Sequence, residues 1–402
     1  MGMIESLVDF HSLSIDHSTF VATGDKVSID GHFYSDKLAA PSLIGAVVYF
    51  PLSLLNIKLG YGWNVAYYLI TLLTVKVFWL AGLIAFYRTL AFTPLADKKR
   101  IWLTLALGVG SLYLTWSATF NNHCLATSWV AIGFYFLLKS KRSVHIWSSL
   151  FLSGLFFGLA GSSDVPIMAV YVAFLLYIVA DGRLRASIVS YLTPLLLTVL
   201  PVLLVNYYIS GSIIPVQLVS SYFLYPGSPW KSEDLTGVGM NQGAFLGNYV
   251  FNCLLGSRGF ILYNPMLFVA IPLLLRELSP KRQFVWEARA VCLASAPIVS
   301  YYLIFSNNYG GWSYSIRWFV PLLPLWFFFM YPFLENLNVA RKALFLTLFS
   351  VSTAIAMVGL ASPWSNMSLS RYPVVANIRT ILGYIAALRA GGPVTPPEPP
   401  PL

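Results

Sequence analysis

The chain has 402 residues, 57% of them hydrophobic and only 10% charged, with a mean hydropathy of +0.71 and a formal net charge of +10. Soluble globular chains carry roughly 25% charged residues, so this composition excludes a single water-soluble core and implies a chain that crosses a lipid bilayer many times. The basic residues fall in short loops between apolar runs and form no separate stripe, which excludes a nucleic-acid surface and fits loops held on the cytoplasmic side.

The three cysteines (Cys124, Cys253, Cys292) are odd in number and scattered, with no C-x-x-C spacing, so neither a disulfide framework nor a cysteine metal site is expected. The first 38 residues are polar and lack a signal-peptide pattern. The segment 39–55 is apolar enough to span, but Pro41, Pro51 and the short hop to Asn64 suit an interfacial or re-entrant helix.

About ten spans follow, since each needs about 20 mostly apolar residues: 64–90, 101–120, 124–138, 146–161, 165–180, 188–209, 260–275, 288–305, 318–334 and 343–361. Lys98, Lys99 and Arg100; Lys139, Lys141 and Arg142; Arg183 and Arg185; Arg276, Lys281 and Arg282; and Arg341 and Lys342 mark one set of loops. They alternate with nearly uncharged turns at 121–123 and 162–164. The basic loops are therefore expected in the cytoplasm. The other face receives an N-terminal loop (1–63), the long connection 210–259, the loop 306–317, and a tail (362–402) whose Pro-rich end is expected to be disordered. Residues 64–361 form the polytopic domain, and the fold class is an all-α integral membrane protein.

The polar residues that could carry chemistry lie on that outer face. Asp25, His32, Tyr34, Asp36 and Lys37 precede the segment 39–55. A carboxylate there could act as a base toward an acceptor hydroxyl or hold a divalent cation, or the charges could simply pair with one another. Arg258, in Ser-Arg-Gly before Tyr263-Asn264-Pro265, and Arg317, after Gly310-Gly311-Trp312-Ser313-Tyr314, each stand where a helix re-enters the bilayer. There an arginine can snorkel to headgroups or bind a phosphate bidentately. Asp164 faces the same side, and Lys76 sits midway along an apolar span, where an ionisable residue is a functional candidate. No Walker A, G-x-G-x-x-G, H-E-x-x-H or G-x-S-x-G motif occurs, which leaves ATP-driven transport and soluble hydrolase chemistry without support.

Three patterns together, Gly-x-x-Tyr-x-Asp-Lys, Ser-Arg-Gly-x-x-x-Tyr-Asn-Pro and Gly-Gly-Trp-Ser-Tyr-x-x-Arg-Trp, resemble bacterial GT-C glycosyltransferases of the protein-mannosyltransferase and aminoarabinose-transferase type, across residues 4–335. The resemblance implies a GT-C-like fold in the bacterial cytoplasmic (inner) membrane. It also implies a polyprenyl-phosphate sugar donor, a glycan, lipid or protein acceptor, and inverting transfer on the extracytoplasmic face. Gly31, Tyr34, Asp36 and Lys37 match the motif whose acid and lysine lie at the donor phosphate or a metal. Arg258 and Arg317 would be further phosphate contacts, and His32, Tyr34, Tyr263, Asn264, Trp312 and Tyr314 would line the substrate. Family members place a first transmembrane helix and an acidic motif ahead of this loop; here the sequence starts after that point, and Glu5 or Asp9 would substitute for that acid, with Asp25 and Asp36 the further candidate catalytic carboxylates. No cofactor is certain, and a divalent cation remains open. A transporter or flippase of a lipid intermediate, and a non-catalytic subunit of the same fold, are the alternatives.

Overall fold

The computed structural model describes residues 1–62 and 64–390, so the Pro-rich end expected at 391–402 lies outside the described residues. The chain opens with α1 (Gly2–Asp9), a hairpin of β1 (Lys26–Ile29) and β2 (His32–Ser35), and α2 (Ala39–Leu54). Then come α3 (Val65–Phe92), α4 (Asp97–Gly108), the short α5 (Leu112–Trp116), α6 (Asn122–Ser140), α7 (Ile146–Gly161), α8 (Val165–Ala180) and α9 (Arg185–Ser210). After a long irregular stretch follow α10 (Gly243–Leu254), α11 (Leu267–Glu277), α12 (Val285–Ile304), α13 (Arg317–Phe328), α14 (Tyr331–Glu335), α15 (Val339–Ala361) and α16 (Pro373–Arg389).

The fold is that of an all-α, multi-pass membrane protein. Three helices, α3, α9 and α15, are long and apolar enough to cross a bilayer by length and composition alone. Several other expected spans are shorter or broken, and proline explains part of this. Pro321, Pro324 and Pro332 break up the 318–334 segment, which runs as the 3-10 first part of α13, its α-helical second part from Leu323 and then the short α14, because each removes a backbone donor. The expected span at 260–275 starts instead at Leu267, after a run of tight turns. Lys76 lies in a π-helical stretch, Leu72–Lys76, within α3, and has no ion-pair partner among the described residues.

The core centres on α6, which is buried on nearly every face; Trp129 and Phe134 are fully enclosed there. Small residues allow this close packing. At Gly82 of α3 an added Cβ would lie 2.9 Å from the Ser128 backbone of α6. α2 presents Val47, Phe50 and Leu54 outward, as an interfacial helix would, and Asp9 ties it to α1 by accepting from Tyr49, Ser53 and Lys58.

The hairpin was not foreseen in an all-α reading, but its sequence accounts for it. Val27 and Ile29 alternate inward and pack on Val216 and Phe223 of the long stretch after α9. Asp30 and Gly31, at φ of 51° and 83°, form the Asp-Gly turn that suits a two-residue hairpin loop.

Candidate active site

The hairpin register builds the site. Lys26 pairs with Ser35, so the next residues outward, Asp25 and Asp36, come side by side at the open end of the ribbon. Lys37, just ahead of α2, then reaches both: its Nζ lies 2.6 Å from Asp36 Oδ2 and 3.2 Å from Asp25 Oδ1. The Asp36 side chain is only 9% exposed and its Oδ1 has no partner. Asp25 and Lys37 keep 54% and 42% of their side-chain surface open although both lie deep among protein atoms, which places them on the wall of a cleft. Trp230 donates to the Gly24 carbonyl at 2.8 Å and so anchors the stretch after α9 beside Asp25.

Arg317 enters the same cluster from the start of α13. Its guanidinium lies 4.9 Å over the ring of Trp364, its buried Nε has no hydrogen-bond partner, and no carboxylate lies within ion-pair distance among the described residues. It is nonetheless close enough for its charge to act on Asp25, Asp36 and Asp164. The charges set distinct protonation states. Lys37, assisted by Arg317, holds the Asp25 carboxyl below the usual aspartate range. Burial pushes Asp36 up to about 6, against the pull of Lys37 and with the push of Asp25. Burial also opposes the Lys37 ammonium, but Asp25 and Asp36 outweigh it and keep its pKa above that of a free lysine. Two cations thus sit among carboxylates, one of them with unsatisfied donors. A buried polar atom without a partner is costly, and a ligand oxygen would relieve that cost.

With the fold and the cluster described, similarity to known proteins can be stated. No family model matches the chain, and no curated protein matches it. Among solved structures, ArnT from Cupriavidus metallidurans bound to undecaprenyl phosphate superposes with a TM-score of 0.56 at 12% identity, covering 97% of this chain and 67% of that one. The chain has a GT-C-like fold.

The structure brings together Asp25, Asp36, Lys37 and Arg317 and places the other expected residues elsewhere. Glu5 is buried and accepts from Ser18 Oγ, Thr19 N and Thr19 Oγ1, so its oxygens are taken up in holding that loop to α1. His32 pairs with Asp16 at 2.7 Å at the turn end of the hairpin, four positions along the chain from Asp36, or roughly 14 Å at 3.4 Å per residue. Tyr34 packs with Val27 against the stretch after α9. Arg258 donates Nη1 to the carbonyls of Tyr309, Gly311 and Ser313, clamping a turn in which Tyr309, Gly310 and Gly311 all have positive φ. Trp312 is half-buried in that turn. Tyr263 donates to Ser257 O, Asn264 bridges Leu112 N and Phe260 O, and Tyr314 donates to Ile355 O while its ring packs on Gly359. The Ser-Arg-Gly and Gly-Gly-Trp motifs therefore join as one brace that leads into Arg317.

Sequence reasoning missed His123, Tyr302, Trp318 and Trp364. Only Asp164 gave a signal, as a carboxylate in an otherwise uncharged Ser-Ser turn. A surface cavity of about 600 Å³ lies elsewhere, lined by Lys231, Glu233, Asn241, Phe305 and Asn307 among others, and none of the expected site residues lines it. Between α2 and α9, next to Lys37, runs a narrow groove walled by Leu38, Ala39, Val202, Val205 and Ile209. Among the described residues no group of three or more His, Cys, Asp or Glu could hold a metal. Between Asp25 and Asp36 lies the Lys37 ammonium, which pairs with both.

Proposed function

We propose that the chain is a membrane glycosyltransferase that moves a sugar from a polyprenyl-phosphate donor to an acceptor at the extracytoplasmic membrane face. The observation that carries this reading is the cluster itself: Lys37 and the unpaired Arg317 form an anion seat flanked by carboxylates, beside a crevice of about 20 Å³ between α2 and α9. A lipid phosphate needs cations for its head, which this seat supplies, and the apolar outer surface of α2 and α9 beside it offers contact for a tail. The fold likeness to ArnT, whose structure holds undecaprenyl phosphate, supports the same class.

In the reaction, the acceptor hydroxyl oxygen bonds to the anomeric carbon as the bond from that carbon to the phosphate oxygen breaks. The electron pair leaves with the polyprenyl phosphate, whose charge Lys37 and Arg317 stabilise in a site already organised for it. The hydroxyl proton passes to Asp25, which is ionised and exposed where Asp36 is buried and held by Lys37. No metal is needed in this scheme. The extracytoplasmic placement rests on the basic loops: the starts of α6 and α13 and the turn carrying Asp164 all lie at helix ends opposite those loops. It makes residues 1–63 an external segment that carries half of the site, with 64–361 the membrane domain and 362–402 an external tail.

A flippase reading has less support, because the cluster around Lys37 and Arg317 lies at one end of the bundle, with Lys76 alone standing midway along α3. The test is transfer of radiolabelled sugar from polyprenyl phosphate donors by the protein in liposomes, with lipid scrambling measured in parallel. Scrambling without transfer, or transfer unchanged in both Lys37→Ala and Arg317→Ala, would overturn the proposal.

A further inference from the structure

A second polar cluster adjoins Arg317 on the side away from Asp25 and Asp36. Asp164, in the turn between α7 and α8, feels Arg317 ahead of Lys37, whereas Asp25 and Asp36 feel Lys37 ahead of Arg317. Three separate elements converge there. Tyr302 of α12 donates its hydroxyl to Asp164 at 3.1 and 3.3 Å, and His123 at the start of α6 places Nδ1 3.4 Å from Asp164 Oδ2. That last contact is too poorly aligned for a hydrogen bond and leaves His123 Nδ1 buried without a partner. Behind them the Tyr302 ring stacks on Trp318 at 4.3 Å and 6°.

Donors are scarce in this cluster. A carboxylate has about four lone-pair positions, and Asp164 receives one hydroxyl, shared between its two oxygens, with no lysine or arginine at ion-pair distance among the described residues. Burial pushes its carboxyl up to about 6 despite the Tyr302 hydrogen bond and the field of Arg317 and Lys37, so at neutral pH it is ionised and under-satisfied. The packing of α6, α8 and α12 holds these groups in place although their partners are incomplete. A ligand with several hydroxyls would supply the missing donors and accept or donate at His123.

We propose that Asp164 and His123, backed by the Tyr302–Trp318 stack, form the subsite that holds the transferred sugar of the donor by its hydroxyls. This rests on the glycosyl-transfer reading above, in which the phosphate sits at Lys37 and Arg317; the sugar then extends past Arg317 into this cluster. Asp164 and His123 are specificity-determining residues, separate from the phosphate seat.

The test is calorimetric titration of the detergent-solubilised full chain with a short-chain polyprenyl phosphate, bare or carrying glucose, mannose, arabinose or N-acetylglucosamine. The wild type is expected to bind at least one sugar-bearing lipid more tightly than the bare lipid. Asp164→Asn and His123→Gln should each reduce that preference about tenfold, as expected for a lost hydrogen bond to a charged or buried group; His123→Gln should leave bare-lipid affinity within about twofold, whereas Asp164→Asn, which removes a negative charge beside the seat, should tighten bare-lipid binding. Arg317→Ala should weaken both lipids together. A preference that survives in whichever of the two variants folds, or a wild type with no preference for any of the sugars, overturns the subsite. A wild type that binds not even the bare lipid overturns the phosphate seat as well, and the two failures are thereby distinguished.

Discussion

Replacing Asp36 by asparagine should stabilise the fold, and only above pH 4. The Asp36 carboxyl has been pushed from an ordinary 3.8 to about 6, burial outweighing the attraction of Lys37. A carboxyl that is harder to ionise in the folded state than in the unfolded chain costs stability as pH rises through this window. The cost is absent below about 4 and complete above about 6. At 1.36 kcal/mol per pH unit the full cost is about 3 kcal/mol, and at pH 4.5 only about 1 kcal/mol of it has developed. Asparagine keeps the shape and removes the charge, while Asp25 remains to pair with Lys37. The gain should appear as a higher midpoint in mixed-micelle SDS unfolding at pH 7.5, shrinking by more than half at pH 4.5. Equal destabilisation at both values would refute the reasoning, because it would mean that the Asp36–Lys37 contact contributes more than burial of the charge costs. A gain in stability with a loss of activity would mark Asp36 as strain kept for function.

Lys37→Ala and Arg317→Ala should each lower kcat for sugar transfer by about 100- to 1,000-fold, the range found when one preorganised donor to a developing anion is removed; steady-state assays in liposomes measure this. Arg258→Ala should lower the melting temperature, because three carbonyls of the 309–313 turn lose their donor, and activity should fall through displacement of Arg317; Arg258→Lys should restore only part of both, since an ammonium cannot fork as a guanidinium does. EDTA treatment should leave transfer unchanged, with Lys37 standing between the carboxylates.

The all-α membrane fold was legible because a bilayer imposes a simple rule on composition, long apolar runs. Asp25, Asp36 and Lys37 stood out in the sequence as charges beside an apolar helix, but whether they merely pair with one another was open there, and the structure shows that they do pair. The hairpin was harder to see. Four-residue strands carry too little pattern to stand out, although Val27, Ile29 and the Asp30-Gly31 turn contained it. Arg258 and Arg317 looked equivalent in sequence, each following glycines and preceding a helix. They differ in what the surroundings offer: three carbonyls meet Arg258, whereas Arg317 meets a Trp364 ring face and finds no partner for its buried Nε. His123 and Tyr302 gave no signal, because a single polar residue at the end of an apolar helix is indistinguishable from a satisfied one until its neighbours are known.

The charge balance of the cluster makes one more demand. With every carboxyl ionised, Asp25, Asp36 and Asp164 outnumber Lys37 and Arg317 by three to two, and an approaching phosphate would meet a net negative site. Two of those carboxyls are pushed up to about 6, so on acidification from pH 7.5 to 5.5 the formal charge moves from about −1 toward +1. Lys37, Arg317 and Asp25 keep their charges over this range, and His123 faces Asp164 from α6. A sugar-bearing polyprenyl phosphate is a phosphodiester with one fixed charge, so its own ionisation does not interfere. At roughly 5 to 7 Å and an effective dielectric of about 20, each proton taken up changes the energy of the bound phosphate by about 2 to 3 kcal/mol before screening. Donor affinity should therefore rise at least tenfold between pH 7.5 and 5.5, and Asp36→Asn should bind tightly at pH 7.5 with a flatter profile. If the wild-type affinity is instead flat or falls on acidification, the phosphate does not sit between these carboxylates, and the seat at Lys37 and Arg317 has been placed wrongly.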